Sequence, residues 1–270
     1  MSALDPAVAP APLPRPRTAA VVAHSLLDLI LAAALMLALS LAGMLAWSFW
    51  RGLDVAMRQP GLAPERVAAA IGQPGPLAQI LVSLLAMGGA AVAVYLLRRR
   101  ANREQRAAAW QALRRPATWG WALGTGLATF GLSAALSELG RALGAEPVPT
   151  NVEMIQAALR SHPLLTLLFA VALAPAYEEL LFRRVLFGRY WAAGLPWLGI
   201  AFSSLAFALL HELPGISQNG PGAIVLLWLT YAAIGAAFAW VYRRTGSLWA
   251  AVLAHGTNNL LACALLQWQG

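Results

Sequence analysis

Apolar stretches long enough to cross a lipid bilayer recur along this chain, and nothing constrains its fold more. A hydrocarbon core of ~30 Å needs ~20 apolar residues in helical form, and candidate spans of about that length fall at residues 25–49, 77–97, 118–139, 163–183, 195–211, 222–242 and 247–267. The 270 residues are 60% hydrophobic and 11% charged, against about a quarter charged in soluble domains. Strand-length alternation is absent, which argues against a membrane barrel. The expected fold class is all-α: a polytopic transmembrane helical bundle of about seven spans plus a short interfacial helix.

Proline and glycine punctuate the gaps, as in "QPGLAP" and "LPGISQNGPG". Residues 1–20 hold Pro6, Pro10, Pro12, Pro14 and Pro16, cannot bury a core, and read as a disordered N-terminal tail. The chain then divides into an N-terminal transmembrane region of three spans, 21–145, and a four-span core, 146–270. In the third span Gly120, Gly124, Gly126 and Gly131 suit close helix packing. Before the fourth, "TNVEMIQAALR" reads as a short helix lying along the interface, with Thr150 and Glu153 at capping-box spacing and Val152, Ile155 and Leu159 on one apolar face.

The net charge of +8 comes from arginines in the loops between spans, where topology requires them, so nucleic acid is not an expected partner. "RRRANREQRAAAWQALRR" marks a cytoplasmic loop, and alternation from there places the N-terminus inside and the C-terminus outside. All basic residues are arginine, and the composition is rich in alanine; the expected location is the inner (plasma) membrane of a bacterium. Cys263 is the sole cysteine, so intramolecular disulfides are excluded, and it reads as a packing residue.

Ionisable side chains inside spans cost ~2.5–3.5 kcal/mol each on insertion scales and therefore ask for a reason. Three groups occur. "APAYEELLFRR" carries Glu178, Glu179 and Arg183; Glu179 and Arg183 are four apart and can pair, which leaves Glu178 about 100° away with a different partner. "FALLHELPG" sets Phe207 and His211 on one helix face, without the second histidine of HExxH. "LAHGTNNL" stacks His255 on Asn259. Each alone is explained by helix-end capping or a polar helix contact. Together they offer a carboxylate and an imidazole that can deprotonate a water, and an imidazole and an amide that can donate to an oxyanion.

These segments resemble the motifs of the CPBP intramembrane proteases, the CAAX-processing and bacteriocin-processing (ABI) family: EExxxR, then FxxxH, then HxxxN, each on its own membrane helix. The resemblance covers about residues 150–268, and Arg184 departs from it, many members having glycine there. It implies an endopeptidase acting on a membrane-associated protein or peptide within the lipid bilayer. Glu178 then matches the glutamate that activates water, with His211 assisting; His255 and Asn259 match the oxyanion pair; Glu179 and Arg183 match supporting residues. Members are often called metalloproteases, and a metal-free mechanism is also argued for them. Glu178, His211 and His255 can form a zinc site with one open position or act without zinc. A non-catalytic scaffold or bacteriocin immunity protein is the alternative, followed by a proton-coupled transporter; Asn259, an oxyanion donor one turn from His255, speaks against a mere proton relay.

Overall fold

The computed structural model describes residues 18–213 and 215–269. The tail expected over residues 1–20 lies outside the described residues, except that Thr18–Ala20 open the first helix. Among the described residues the chain is helical and has no strand. The elements are α1 (Thr18–Arg58), α2 (Pro64–Ile71), α3 (Pro76–Arg98), α4 (Arg103–Leu113), α5 (Pro116–Ala142), α6 (Val152–Ser161), α7 (Pro163–Ala192), α8 (Pro196–His211), α9 (Pro221–Thr245) and α10 (Leu248–Gln269). Each expected span falls on one long helix. Five of them, α1, α3, α7, α9 and α10, are long and apolar enough to cross a bilayer; α8 is apolar but only 16 residues long, and α5 runs for 27 residues.

Local chemistry sets the boundaries. Proline stands at the first position of α2, α3, α5, α7, α8 and α9, where its missing N–H leaves no bond unmade. Asn102 and Gln105 form a reciprocal capping box at the start of α4. Gly246, at φ 73°, closes α9 in the left-handed conformation that favours glycine. The capping box expected from Thr150 and Glu153 does not form: α6 starts at Asn151 with no side-chain cap, because the Thr150 hydroxyl and N–H both donate to Glu212 instead, at 2.7 and 2.8 Å. The apolar side of α6 packs onto the bundle, Leu159 clustering with Ala170 and Cys263.

The end of α7 corrects a second expectation. With the fourth span ending near residue 183, His211 would lie far deeper than Glu178 unless the fifth span began within "RYWAAGLPW" or the cavity were deep. The structure gives the first four residues of that segment to α7, which continues to Ala192, and α8 starts within it at Pro196. Glu178 thus lies midway along α7, about 20 Å from Ala192 at ~1.5 Å per residue. His211 ends the returning α8 at a similar distance from Pro196, so the two residues meet at one depth. Arg183, expected near the inner edge, is likewise deep and fully buried. Two π-helical stretches, Phe169–Leu173 and Leu180–Phe187, flank the α-helical turn Ala174–Glu179; such wide turns shift the angular register of the side chains beyond them.

Close contacts hold α10 between α5 and α7. A Cβ on Gly126 would lie 2.6 Å from the Ala254 carbonyl oxygen, and one on Gly256 would run into that of Val171. Of the glycines expected to pack the third span, Gly120, Gly124 and Gly131 face open space and only Gly126 makes such an approach. Helix α1 exposes Ile30, Leu37, Leu41, Leu45, Phe49 and Met57, apolar surface suited to lipid and a liability in water. Its buried Asp28 accepts from Arg98 at 2.8 Å and from Arg189, tying α1 to α3 and α7.

Candidate active site

Glu178, Glu179 and Arg183 come from α7, His211 from the C-terminal end of α8, and His255 and Asn259 from α10. The helices bring all six to one region. The Glu178 Oε2 atom lies 3.7 Å from His211 Nε2 and 3.9 Å from His255 Nε2. Glu178 and both histidines border a cavity of about 530 Å³ that Met154 and Ile155 of α6, Ser133 of α5, and Tyr231 of α9 also line. Such a volume lies within the ~300–1,000 Å³ usual for ligand pockets.

Hydrogen bonds fix both imidazoles. His211 Nδ1 stands 2.8 Å from the Phe207 carbonyl oxygen. A carbonyl only accepts, so Nδ1 carries the proton and Nε2 is left facing Glu178. His255 Nδ1 is 2.9 Å from Glu179 Oε1; a carboxylate ion-paired with arginine accepts, so this ring too directs Nε2 at Glu178. Glu179 is 0% exposed, and its Oε2 is 2.9 Å from Arg183 Nε. The Arg183 N–H does not aim at that oxygen, so the attraction is coulombic rather than a directed hydrogen bond. The guanidinium instead sits among the rings of Phe207, Phe182 and Phe238, at 4.9, 5.7 and 5.9 Å from their centroids, where cation–π attraction replaces part of its lost hydration. Phe207 thereby links the two halves: its ring carries Arg183 and its carbonyl holds His211.

Asn259 lines the same cavity, but one amide hydrogen is engaged, its Nδ2 donating to the Ala170 carbonyl at 2.9 Å. The local backbone explains this. In the π-helical stretch Ala174 N–H bonds back to Phe169, and the next such bond would need an N–H from Pro175, which has none. Asn259 supplies a donor to the carbonyl that proline leaves open. Its neighbour Asn258 also lines the cavity, with a buried Oδ1 that lacks a partner.

Four residues around the site were not singled out as site residues from the sequence. Tyr231 packs tilted against His211 with ring centroids 4.4 Å apart, and Phe238 stacks on His255 at 4.8 Å. Neither carries a sequence signal apart from its aromatic character within an apolar span. Glu212 is fully buried and clamps Thr150, while Asn219 exchanges two hydrogen bonds with Val148; together they hold the Pro147–Asn151 segment across one end of the cavity. A carboxylate next to a motif histidine was the available signal for Glu212.

Zinc bonds of ~2.0–2.1 Å in tetrahedral array would hold the ligand atoms ~3.3 Å apart. The separations of 3.7 and 3.9 Å are wider, and among the described residues no group of three His, Cys, Asp or Glu side chains is arranged to hold a metal ion. As spaced here the three side chains do not fit zinc; they present a carboxylate between two oriented imidazole nitrogens, at the edge of a cavity, with an amide nearby.

Residues 160–261, which contain all six side chains, match the family described as Type II CAAX prenyl endopeptidase Rce1-like. The chain is 27% identical over 109 residues to "Putative membrane peptidase YdiL" of Bacillus subtilis (strain 168). That alignment spans 40% of this chain and 40% of the relative. No solved structure matches the chain.

Proposed function

We propose that this integral membrane protein, whose residues 160–261 match the Rce1-like type II CAAX prenyl endopeptidases, is an intramembrane endopeptidase that cuts a membrane-associated protein or peptide. The observation that carries the reading is the approach of Glu178 to His211 and His255 at the rim of one cavity. Glu178 takes a proton from a water held between it and His211, and that water attacks the substrate carbonyl. The proton passes to the leaving amine. The second amide hydrogen of Asn259, and His255 when Nε2 as well as Nδ1 carries a proton, donate to the oxyanion of the tetrahedral intermediate. Glu179 and Arg183 act indirectly: they hold the His255 ring in the orientation that presents Nε2.

Topology supplies the remaining part of the reading. Arg99, Arg184 and Arg189 gather at one end of the bundle with the starts of α4 and α8, and that end is cytoplasmic by the positive-inside rule. The N-terminus is then inside, in the inner membrane of a bacterium. Reconstitution into lipid vesicles with a panel of membrane-anchored peptides, with and without a C-terminal prenyl group, tests the function. Cleavage of any panel peptide by the wild-type protein, absent in Glu178→Gln, is expected; equal product from both proteins would reject the reading.

A further inference from the structure

A second cavity, of about 950 Å³, opens between α3, α4, α7 and α10 at the arginine-rich end. Tyr177 stands in the wall of both cavities, and neither Glu178 nor the two histidines border this one. Its lining is largely apolar and aromatic, with Leu84, Val92, Trp110, Trp191, Tyr242 and Trp249. Its rim holds Arg99 and Arg184.

The two guanidinium groups have no carboxylate partner among the described residues. Arg99 donates to the Gly188 carbonyl at 3.0 Å, and Arg184 to the Gln105 side-chain oxygen at 2.6 Å. Both acceptors are neutral, and the Nε atoms of both arginines are buried without an acceptor. The nearby carboxylate, Asp28, already serves Arg98 and Arg189. Burial first, and then the like charges of Arg189 and Arg184, hold the Arg99 guanidinium below its ordinary proton affinity. An anion at this rim would relieve the repulsion and accept the idle N–H groups, and arginine suits a phosphate through its forked donors.

We propose that this cavity binds an anionic phospholipid, with the phosphate on Arg99 and Arg184 and an acyl chain along the aromatic interior. The volume lies in the ~300–1,000 Å³ range of small-molecule sites, and basic pockets between membrane helices on the cytoplasmic side are suited to anionic headgroups. The apolar interior distinguishes a lipid from a free anion, which would leave that surface facing water.

Delipidated full-length protein in neutral detergent would be offered phosphatidylglycerol, phosphatidylcholine of the same chain length, or inorganic phosphate, and followed by native mass spectrometry and thermal unfolding. The wild type should retain phosphatidylglycerol about tenfold more strongly than phosphatidylcholine, as expected for one or two charge-assisted contacts. Inorganic phosphate should leave the unfolding temperature unchanged. Arg99→Gln with Arg184→Gln should abolish the preference, Arg184→Gln alone should weaken it, and Arg66→Gln, on exposed α2, should keep it. Equal retention of the two lipids by the wild type, an undiminished preference in the Arg184→Gln protein, or a thermal shift from inorganic phosphate matching that of the lipid would overturn the proposal. These readouts do not depend on proteolysis, so this site and the peptidase reading can fail separately.

Discussion

His255 on α10 donates from Nδ1 to Glu179 on α7 at 2.9 Å, across 76 positions of sequence. The bond turns the other ring nitrogen toward Glu178, and Glu179 serves two groups: it accepts from His255 and attracts the charge of Arg183. Removing one partner of a buried ion pair leaves an uncompensated charge, which typically destabilises by ~3–5 kcal/mol. Glu179→Gln is therefore expected to lower the unfolding temperature of the detergent-solubilised protein sharply. Glu179→Leu combined with Arg183→Met should regain most of that stability without regaining peptidase activity, because His255 stays unanchored. A double variant that cleaves at the wild-type rate would show that the pair does not orient the site.

Asn259 has one amide hydrogen on the Ala170 carbonyl and one left over. If the free hydrogen meets the oxyanion, Asn259→Ala should reduce kcat by roughly 10²–10³ while KM changes little, as for other oxyanion donors. Single-turnover cleavage in vesicles measures this. An unchanged kcat would remove Asn259 from the chemistry and leave it the backbone role alone.

Gly256 and Gly124 provide a paired test of the packing around His255. A methyl group at Gly256 runs into the Val171 carbonyl, whereas one at Gly124 meets nothing within 4 Å. Gly256→Ala should destabilise by about 1–3 kcal/mol, as overpacked sites do, and should reduce activity by displacing α10. Gly124→Ala should be neutral or slightly stabilising, since alanine is the better helix former. Equal unfolding temperatures for the two variants would contradict the close approach of α10 to α7.

The helices were legible because bilayer-length apolar runs and Pro/Gly punctuation are local signals, and each expected span coincides with one. The candidate site was legible because an ionisable residue inside an oily run stands out: Glu178, His211 and His255 were found by that contrast and by their helical spacing. What escaped depended on partners far away in sequence. Thr150 and Glu153 have the spacing of a capping box, yet Glu212, 62 positions on, takes the Thr150 hydroxyl. The reach of α7 beyond residue 183 is not legible because Arg183, Arg184 and Arg189 are charges that a membrane span ordinarily excludes. Arg183 is in fact compensated by Glu179 and three aromatic rings, and Arg189 by Asp28 of α1. The glycines of α5 look alike in sequence, and only their neighbours separate Gly126 from the others.

The spacing of Glu178, His211 and His255 predicts that activity survives metal removal. Protein dialysed against a chelator should retain its rate, and added zinc should not raise it. A loss on chelation that zinc reverses would mean that the three side chains close around an ion during turnover.

The central claim is that Glu178 activates the attacking water. Its most direct measurement is the cleavage rate of one membrane-anchored peptide by wild-type and Glu178→Gln protein in matched vesicles, with thermal unfolding recorded for both. Glutamine keeps the size of the side chain and loses its ability to take a proton, so the predicted result is cleavage falling to background with the unfolding temperature nearly unchanged. Cleavage by Glu178→Gln at the wild-type rate would contradict the account.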